Sequence, residues 1–185
     1  MTFLVGDKIK LVKFTDRYIT ARYIEWLNDQ DVNRFMFAGR IPIDKNEIGS
    51  RNNSNNIMFA IMCKLELDND NFIETNDYDH FIGTISLNSI DWINRSGETG
   101  YMIGNKEYWG GGIATEAVKL ISEYALNRLN LHKIEAGVVE GNIGSIKVLK
   151  KNGFKEYGII PDDYFYDGKF YATHRFYKLQ GRQGE

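Results

Sequence analysis

The fold class predicted by this sequence is a mixed α/β sheet in a single domain, residues 1–185. Three observations predict it. Short runs that read as strands lie both before and after one long amphipathic helix in the middle of the chain. No internal repeat or linker interrupts them, and the only prolines, Pro42 and Pro161, mark no boundary. A chain of 185 residues is also long enough for one sizeable core.

Lys8 to Phe14 alternates charged residues with Ile9, Leu11 and Phe14 and predicts a first strand. Thr15-Asp16 would cap a helical segment with Ile19, Tyr23, Trp26 and Leu27 on one face. Asp29 to Ala38 reads as a second short helix, Ile41-Pro42-Ile43 as an extended break, and Asp44 to Ser50 as a helical turn before the Asn-rich loop Arg51 to Asn56. Ile57 to Leu67 and Phe81 to Leu87 are apolar and read as strands. The acidic, Asn-rich segment Asp68 to His80 between them reads as a solvated hairpin tip. After the turn Asn94-Arg95-Ser96-Gly97, Glu98 to Ile103 is a strand. The central helix covers Ala114 to Leu129, with Ala114, Val118, Ile121, Ala125 and Leu129 on one face. Lys133 to Val139 is a strand again, and Asn142 to Asn152 a short helix stopped by Gly153. Lys147, Lys150 and Lys151 suit the negative end of that helix. Phe154 to Ile159 and Phe170 to Leu179 are the last strands, joined across Asp167-Gly168.

The net charge of −2 leaves no overall electrostatic footprint for nucleic acid or an anionic membrane. Cys63 is alone, so the chain forms no internal disulfide; its apolar neighbours place it inside a strand. His80, His132 and His174 have no ligand-like spacing, and no metal is expected. Neither a signal peptide nor a membrane span is visible, which reads as cytoplasmic.

The most informative stretch is Tyr108-Trp109-Gly110-Gly111-Gly112-Ile113-Ala114-Thr115-Glu116-Ala117. It joins a strand to a helix through a turn almost without side chains. The first N–H groups of a helix have no internal partner, and the dipole adds about half a positive charge there. Three glycines would let a diphosphate approach the backbone closely. A P-loop needs Lys-Ser/Thr after the last glycine, where this chain has Ile113-Ala114. A dinucleotide fingerprint fails at its third glycine, where Thr115 stands, although Glu135 lies near the expected acidic position. From the residues alone the turn is an anion cradle or a plain connector.

Three signals follow one another: Glu98-Thr99-Gly100-Tyr101, the stretch from Trp109 to Ala117, and Asn142-Ile143-Gly144-Ser145 through Lys151-Asn152-Gly153-Phe154. In this order the chain resembles the GNAT superfamily of acetyl-CoA-dependent N-acetyltransferases. It looks most like the branch of ribosomal-protein N-terminal and small-molecule amine acetyltransferases, over about residues 80 to 160. The resemblance implies a mostly antiparallel mixed sheet of six to seven strands with helices on both faces. Two parallel strands, Gly100–Ile103 and Lys133–Val139, would part to admit acetyl-CoA. Backbone groups near Met102 and Ile103 would hold its pantetheine arm and supply an oxyanion donor. The N–H groups of Gly110, Gly111, Gly112, Ile113, Ala114 and Thr115 would hold its diphosphate. Asn142 would touch the arm, or cap a helix, or both. Trp109 stands where the family usually carries Gln or Arg.

An attacking amine must be neutral, and a free alkylamine titrates near 10. The resemblance makes Glu98 the candidate base, direct or through water; the plain alternative is an exposed strand residue. Many family members protonate the leaving thiolate with a tyrosine seven residues past the Asn, where this chain has Leu149. Ser145, a backbone N–H, a water or a tyrosine of the last strands would replace it, and Ser145 is the expected donor. The acceptor is expected to be a small-molecule or peptide amine. Trp26 to Phe35 is similar to the corresponding segment of amino-sugar acetyltransferases. N-terminal protein amines, polyamines and antibiotics stay open. Acceptor contacts are expected from the first helices, the loop Asn88 to Arg95, and the aromatics Tyr164-Phe165-Tyr166 and Phe170-Tyr171, although aromatic strand residues are more often core. A cofactor-binding module without catalysis is the rival reading, and a nucleic-acid-binding domain a second. The resemblance allows a monomer or a homodimer.

Overall fold

The computed structural model describes residues 2–37, 40–48, 53–63, 65–68, 71–74 and 80–181. Ten strands are present among them: β1 Thr2–Val5, β2 Ile9–Lys13, β3 Ile57–Cys63, β4 Leu65–Asp68, β5 Asn71–Glu74, β6 Phe81–Asp91, β7 Ser96–Ile103, β8 Lys133–Val139, β9 Lys155–Tyr166 and β10 Lys169–Leu179. The helices are α1 Ala21–Asn28, α2 Gln30–Asn33, α3 Ile113–Glu123 and α4 Ile143–Lys151.

Eight strands form one sheet in the order β1-β2-β3-β6-β7-β8-β10-β9, and β4 pairs only with β5. Every neighbour in the large sheet is antiparallel except β7 and β8. Those two are joined through α3, the crossover that a parallel pair requires. The sheet is one strand wider than the expected six to seven, because Thr2-Phe3-Leu4-Val5 pairs with β2. A four-residue run is too short to announce itself by alternation. Strand β9 also continues through Pro161 to Tyr166, well past the expected end at Ile159. As the last strand of the sheet it has a free edge, where a residue without an N–H is tolerated.

Each sheet face has its own apolar layer. On one, α3 and α4 cover Leu11, Ile61, Ile85, Ile134, Val138 and Phe176, with Val118, Ile121 and Leu149 from the helices. On the other, Tyr23, Trp26 and Leu27 of α1 pack on Met58, Ala60, Met62, Phe81 and Met102. The alternation of β8 follows from this: Ile134, Ala136 and Val138 are buried on the first face, while Glu135 and Gly137 point to the second.

Local capping departs from expectation in two places. Thr15 makes no capping bond, and Asp16–Tyr18 is only a 3₁₀ turn. The true cap of α1 is Thr20, whose Oγ1 accepts from the Tyr23 N–H. Asp29 caps α2 by accepting from Asp31 and Val32 N–H, but α2 ends at Asn33, before the expected Ala38, which lies outside the described residues. The central helix turns to π geometry over Tyr124–Arg128. Gly153 ends α4 as expected: its φ is +77° and the Phe154 N–H donates back to the Leu149 carbonyl. Of the expected tip Asp68 to His80, 69–70 and 75–79 lie outside the described residues, as do 49–52 of the segments before β3. No helix among the described residues is long and apolar enough to cross a membrane.

Candidate functional site

The parallel pair β7–β8 is short. Ser96, Gly97 and Glu98 pair with Lys133, Ile134 and Glu135, and there the pairing stops. Each strand runs on, to Ile103 and Val139, held only by its outer neighbour, β6 or β10. Along Thr99–Ile103 and Ala136–Val139 the inward-facing backbone groups therefore border a gap instead of a ladder. A cleft of about 1130 Å³ opens there. It is continuous from the glycine turn, between the parted strands, to the space beside α1 and α2.

At one end lies the glycine turn. Gly110 and Gly112 hold left-handed backbone, at φ +76° and +83°, where a side chain would cost about 1–2 kcal/mol. Gly112 is the N-cap of α3 and brings no side chain to its first turn. The first N–H with a helical partner is that of Glu116, donating to the Gly112 carbonyl. The N–H groups of Ile113, Ala114 and Thr115 thus have no carbonyl partner within the helix. Lys8 adds a charge that sequence reading missed: from the β1–β2 turn its Nζ donates to the Gly111 carbonyl at 2.9 Å. Its own N–H donates to both Glu116 carboxylate oxygens, at 3.0 and 3.1 Å, which fixes the turn against α3. Lys147 and Lys151 of α4 also line the cleft, whereas Lys150 points to Glu156. The first two therefore border the cleft as well as standing in the later turns of the helix. The missed signal is their i, i+4 spacing on the helix face next to the turn.

Of the expected ligand-binding residues, Met102, Ile103, Trp109, Gly110, Gly112, Ile113, Ala114, Thr115 and Asn142 line this cleft. Gly111 stands behind the lining, its carbonyl taken by Lys8. Trp109 acts as a strut, its Nε1 donating to the Ile103 carbonyl at 2.7 Å and tying the turn to the end of β7. Asn142 caps α4, its Oδ1 accepting from the Ser145 N–H at 3.1 Å, while facing the cleft. Ser145 lines the cleft as well. Its Oγ accepts from the Tyr101 hydroxyl at 2.9 Å. Burial pushes the Tyr101 phenol upward, against a smaller opposing effect of Ser145, so it keeps its proton.

Glu98 does not line the cleft. It occupies the closed end, at the last paired position, where Thr99 and Gly137 beside it form the wall. Its Oε1 accepts from Arg175 Nη1 at 2.8 Å, across β8. That bridge needs Gly137, because a Cβ there would stand 2.8 Å from Arg175 Nη1. Burial opposes the Arg175 charge, but Tyr157 and Glu98 outweigh it and raise its pKa.

Among the described residues, the far end of the cleft carries no unpaired charged side chain. Asn53, Asn56, Ser86, Asn88 and Thr173 line it with Phe35 and Phe37. Thr173 is 2 % exposed and its Oγ1 finds no partner among the described residues. Asp31 also reaches the lining, but Lys106 engages it at 2.6 Å and Asp29 at 2.8 Å. The expected aromatics of the last strands are elsewhere. Tyr164 is buried and donates to the Arg34 and Met36 carbonyls, while Phe165 and Phe170 pack on each other at the surface. From Asn88 to Arg95, only Asn88 borders the cleft. Among the described residues no three His, Cys, Asp or Glu side chains gather as a metal site.

The family model of the acetyltransferase (GNAT) domain matches residues 8–155. The chain belongs to the GNAT acetyltransferase family. This GNAT chain is 48% identical over 84 residues to the probable N-acetyltransferase YjcK of Bacillus subtilis, covering 44% of this chain and 45% of YjcK. It is 30% identical over 111 residues to the spermidine N(1)-acetyltransferase of Vibrio cholerae, 60% of this chain and 64% of that one. The chain thus spans about half to two thirds of the length of these curated relatives. The crystal structure of Vibrio cholerae spermidine N-acetyltransferase in complex with CoA and spermine aligns with a TM-score of 0.76 at 23% identity, over 95% of this chain and 97% of that one. RimL, a ribosomal L7/L12 alpha-N-protein acetyltransferase in complex with CoA, aligns at 0.76 and 15% identity, over 97% and 98%. Such distant likenesses establish a GNAT fold.

Proposed function

We propose that the chain is a single N-acetyltransferase domain that moves an acetyl group from acetyl-CoA to a primary amine, by direct attack with both bound. The observation that carries this reading is the parted β7–β8 pair, which opens beside an uncapped, glycine-lined helix start. Bare N–H groups and three lysines suit a diphosphate; the gap between strands suits an extended arm with amide groups. Family membership and the CoA present in two structural relatives support it.

Acetyl-CoA supplies an activated acetyl thioester. The N–H groups of Gly110 to Thr115, with Lys8, Lys147 and Lys151, hold its charged end. Backbone groups along Met102 and Ile103, with Asn142, orient the arm, and an N–H of that strand supports charge on the reacting carbonyl oxygen. Glu98 takes the amine proton through water, since it stands at the closed end of the cleft. Ser145 gives a proton to the departing sulphur.

For the acceptor we favour an amine on an uncharged, hydroxyl-bearing framework, such as an amino-sugar or nucleotide-amino-sugar. The far end of the cleft offers amides and hydroxyls, and Asp31, the one carboxylate of the lining among the described residues, is already engaged by Lys106. A polyamine would ask for unpaired carboxylates. The test is thermal unfolding with saturating acetyl-CoA, with NAD and ATP as controls, followed by a panel of amino-sugars, polyamines and peptides. At about a hundred times Kd, acetyl-CoA adds roughly 2.7 kcal/mol, a rise of about 5–10 °C in Tm. No shift would overturn the enzyme reading. Polyamine turnover exceeding that of every amino-sugar would overturn the acceptor reading alone.

A further inference from the structure

The departing thiolate needs a proton, and Leu149 holds the position where many members of the family carry a tyrosine. Leu149 is 1 % exposed and belongs to the apolar layer under α4, so it offers nothing to the cleft but a floor. Ser145, one turn earlier, faces the cleft, with its backbone N–H already held by Asn142. A lone serine hydroxyl is a poor acid. Tyr101 changes its situation. On β7 it pairs with Ile85, a residue buried against α3, so its ring lies on the α3–α4 side of the sheet and packs against that core. Its hydroxyl then meets Ser145 Oγ at 2.9 Å, and both residues line the cleft.

We propose that Tyr101 is the positioning residue for Ser145: its phenol donates to the serine oxygen and leaves the serine hydrogen free for the sulphur. The inference rests on the acetyl-transfer reading above. A hydroxyl has one hydrogen and two acceptor sites. Between a phenol and an alcohol, the phenol is the stronger acid and donates. Ser145 therefore receives one hydrogen bond, and its own hydrogen turns elsewhere. The phenol that α4 lacks is delivered from the strand instead. In the transfer the C–N bond forms and the C–S bond breaks, its electron pair staying on sulphur. The amine proton passes to Glu98 through water, and Ser145 hands its hydrogen to sulphur. Tyr101 keeps its proton and its hydrogen bond to the serine oxygen throughout, and the proton that Glu98 releases returns to that oxygen through water. Atoms and charge balance with no further reactant.

Tyr101→Phe keeps the buried ring and deletes one hydroxyl, so the fold is spared. The experiment compares wild type, Tyr101→Phe, Ser145→Ala and the double variant in two ways. The first is kcat and KM for acetyl-CoA. Each single variant is expected to lose about tenfold to a hundredfold in kcat with KM nearly constant, and the double variant to be no slower than Ser145→Ala. The second needs no turnover: calorimetric Kd for CoA and for desulfo-CoA. Wild type is expected to prefer CoA, and both single variants to lose that preference while binding desulfo-CoA as before. Full turnover in Tyr101→Phe would overturn the inference. So would an equal further loss on the Ser145→Ala background, or an unchanged preference for CoA in Tyr101→Phe. A wild type that binds CoA and desulfo-CoA alike sinks the inference and leaves acetyl transfer standing; one that binds neither removes both.

Discussion

Replacing Lys8 by Met tests the charged end of the cleft, because Lys8 lies about a hundred residues from the glycine turn in sequence yet touches it. The ammonium donates to the Gly111 carbonyl at 2.9 Å, so it stands beside the N–H groups that face the cleft. Two unit charges about 4 Å apart interact by about 1 kcal/mol in water and about 4 kcal/mol at an effective dielectric of 20. Lys8 is exposed, which puts the expected loss near the lower figure. A loss of about 1–1.5 kcal/mol raises Kd for acetyl-CoA about fivefold to tenfold. Screening should shrink the effect as ionic strength rises from about 0.02 to 0.3 M, where the Debye length falls below about 10 Å. Met preserves the apolar stem, and the Lys8 backbone bonds to Glu116 are unaffected, so Tm should hardly move. Calorimetric titration at the two ionic strengths measures this, with Lys150→Met, whose charge points away to Glu156, as the control. An unchanged Kd at low salt, or equal losses for the two variants, would refute the argument that Lys8 serves the anion cradle.

Three further outcomes are expected. Glu98→Gln should lower kcat by about 10²–10⁴-fold with acetyl-CoA affinity preserved; its ion pair with Arg175 is partly exposed, so stability changes little. Turnover equal to wild type between about pH 6 and 9 would remove Glu98 from the proton path. Gly112→Glu should abolish acetyl-CoA binding, since it sets a like charge at the start of α3 and strains a left-handed backbone; a normal titration would displace the diphosphate from this turn. Thr173→Val should raise KM for the amine several-fold with KM for acetyl-CoA unchanged. It should not destabilise, because it deletes a buried hydroxyl that has no partner among the described residues. An unaltered amine KM would show that the hydroxyl does not serve the acceptor.

What the sequence determined by itself is what travels in local order. Lys133–Val139 was legible to the residue because its alternation is also its burial pattern. The glycine turn into a helix start was legible because strand, glycines and helix start adjoin in the chain, and the helix cap at Asn142 for the same reason. The sequence also showed that the usual tyrosine was missing at Leu149. Only the tertiary structure decided which side chains meet these segments, because each partner comes from a distant part of the chain. Tyr101 reaches Ser145 across 44 positions, Arg175 reaches Glu98 across 77, and Lys8 reaches Gly111 across 103. Side-chain alternation says which face a strand residue takes, but not which helix waits there. The aromatic tail divides for that reason: Tyr164 takes the core role, turning inward to the carbonyls of residues 34 and 36, and Phe165 and Phe170 turn outward to each other. The gap between β7 and β8 is likewise a property of pairing, lost after the third residue pair, and neither strand's own sequence records it.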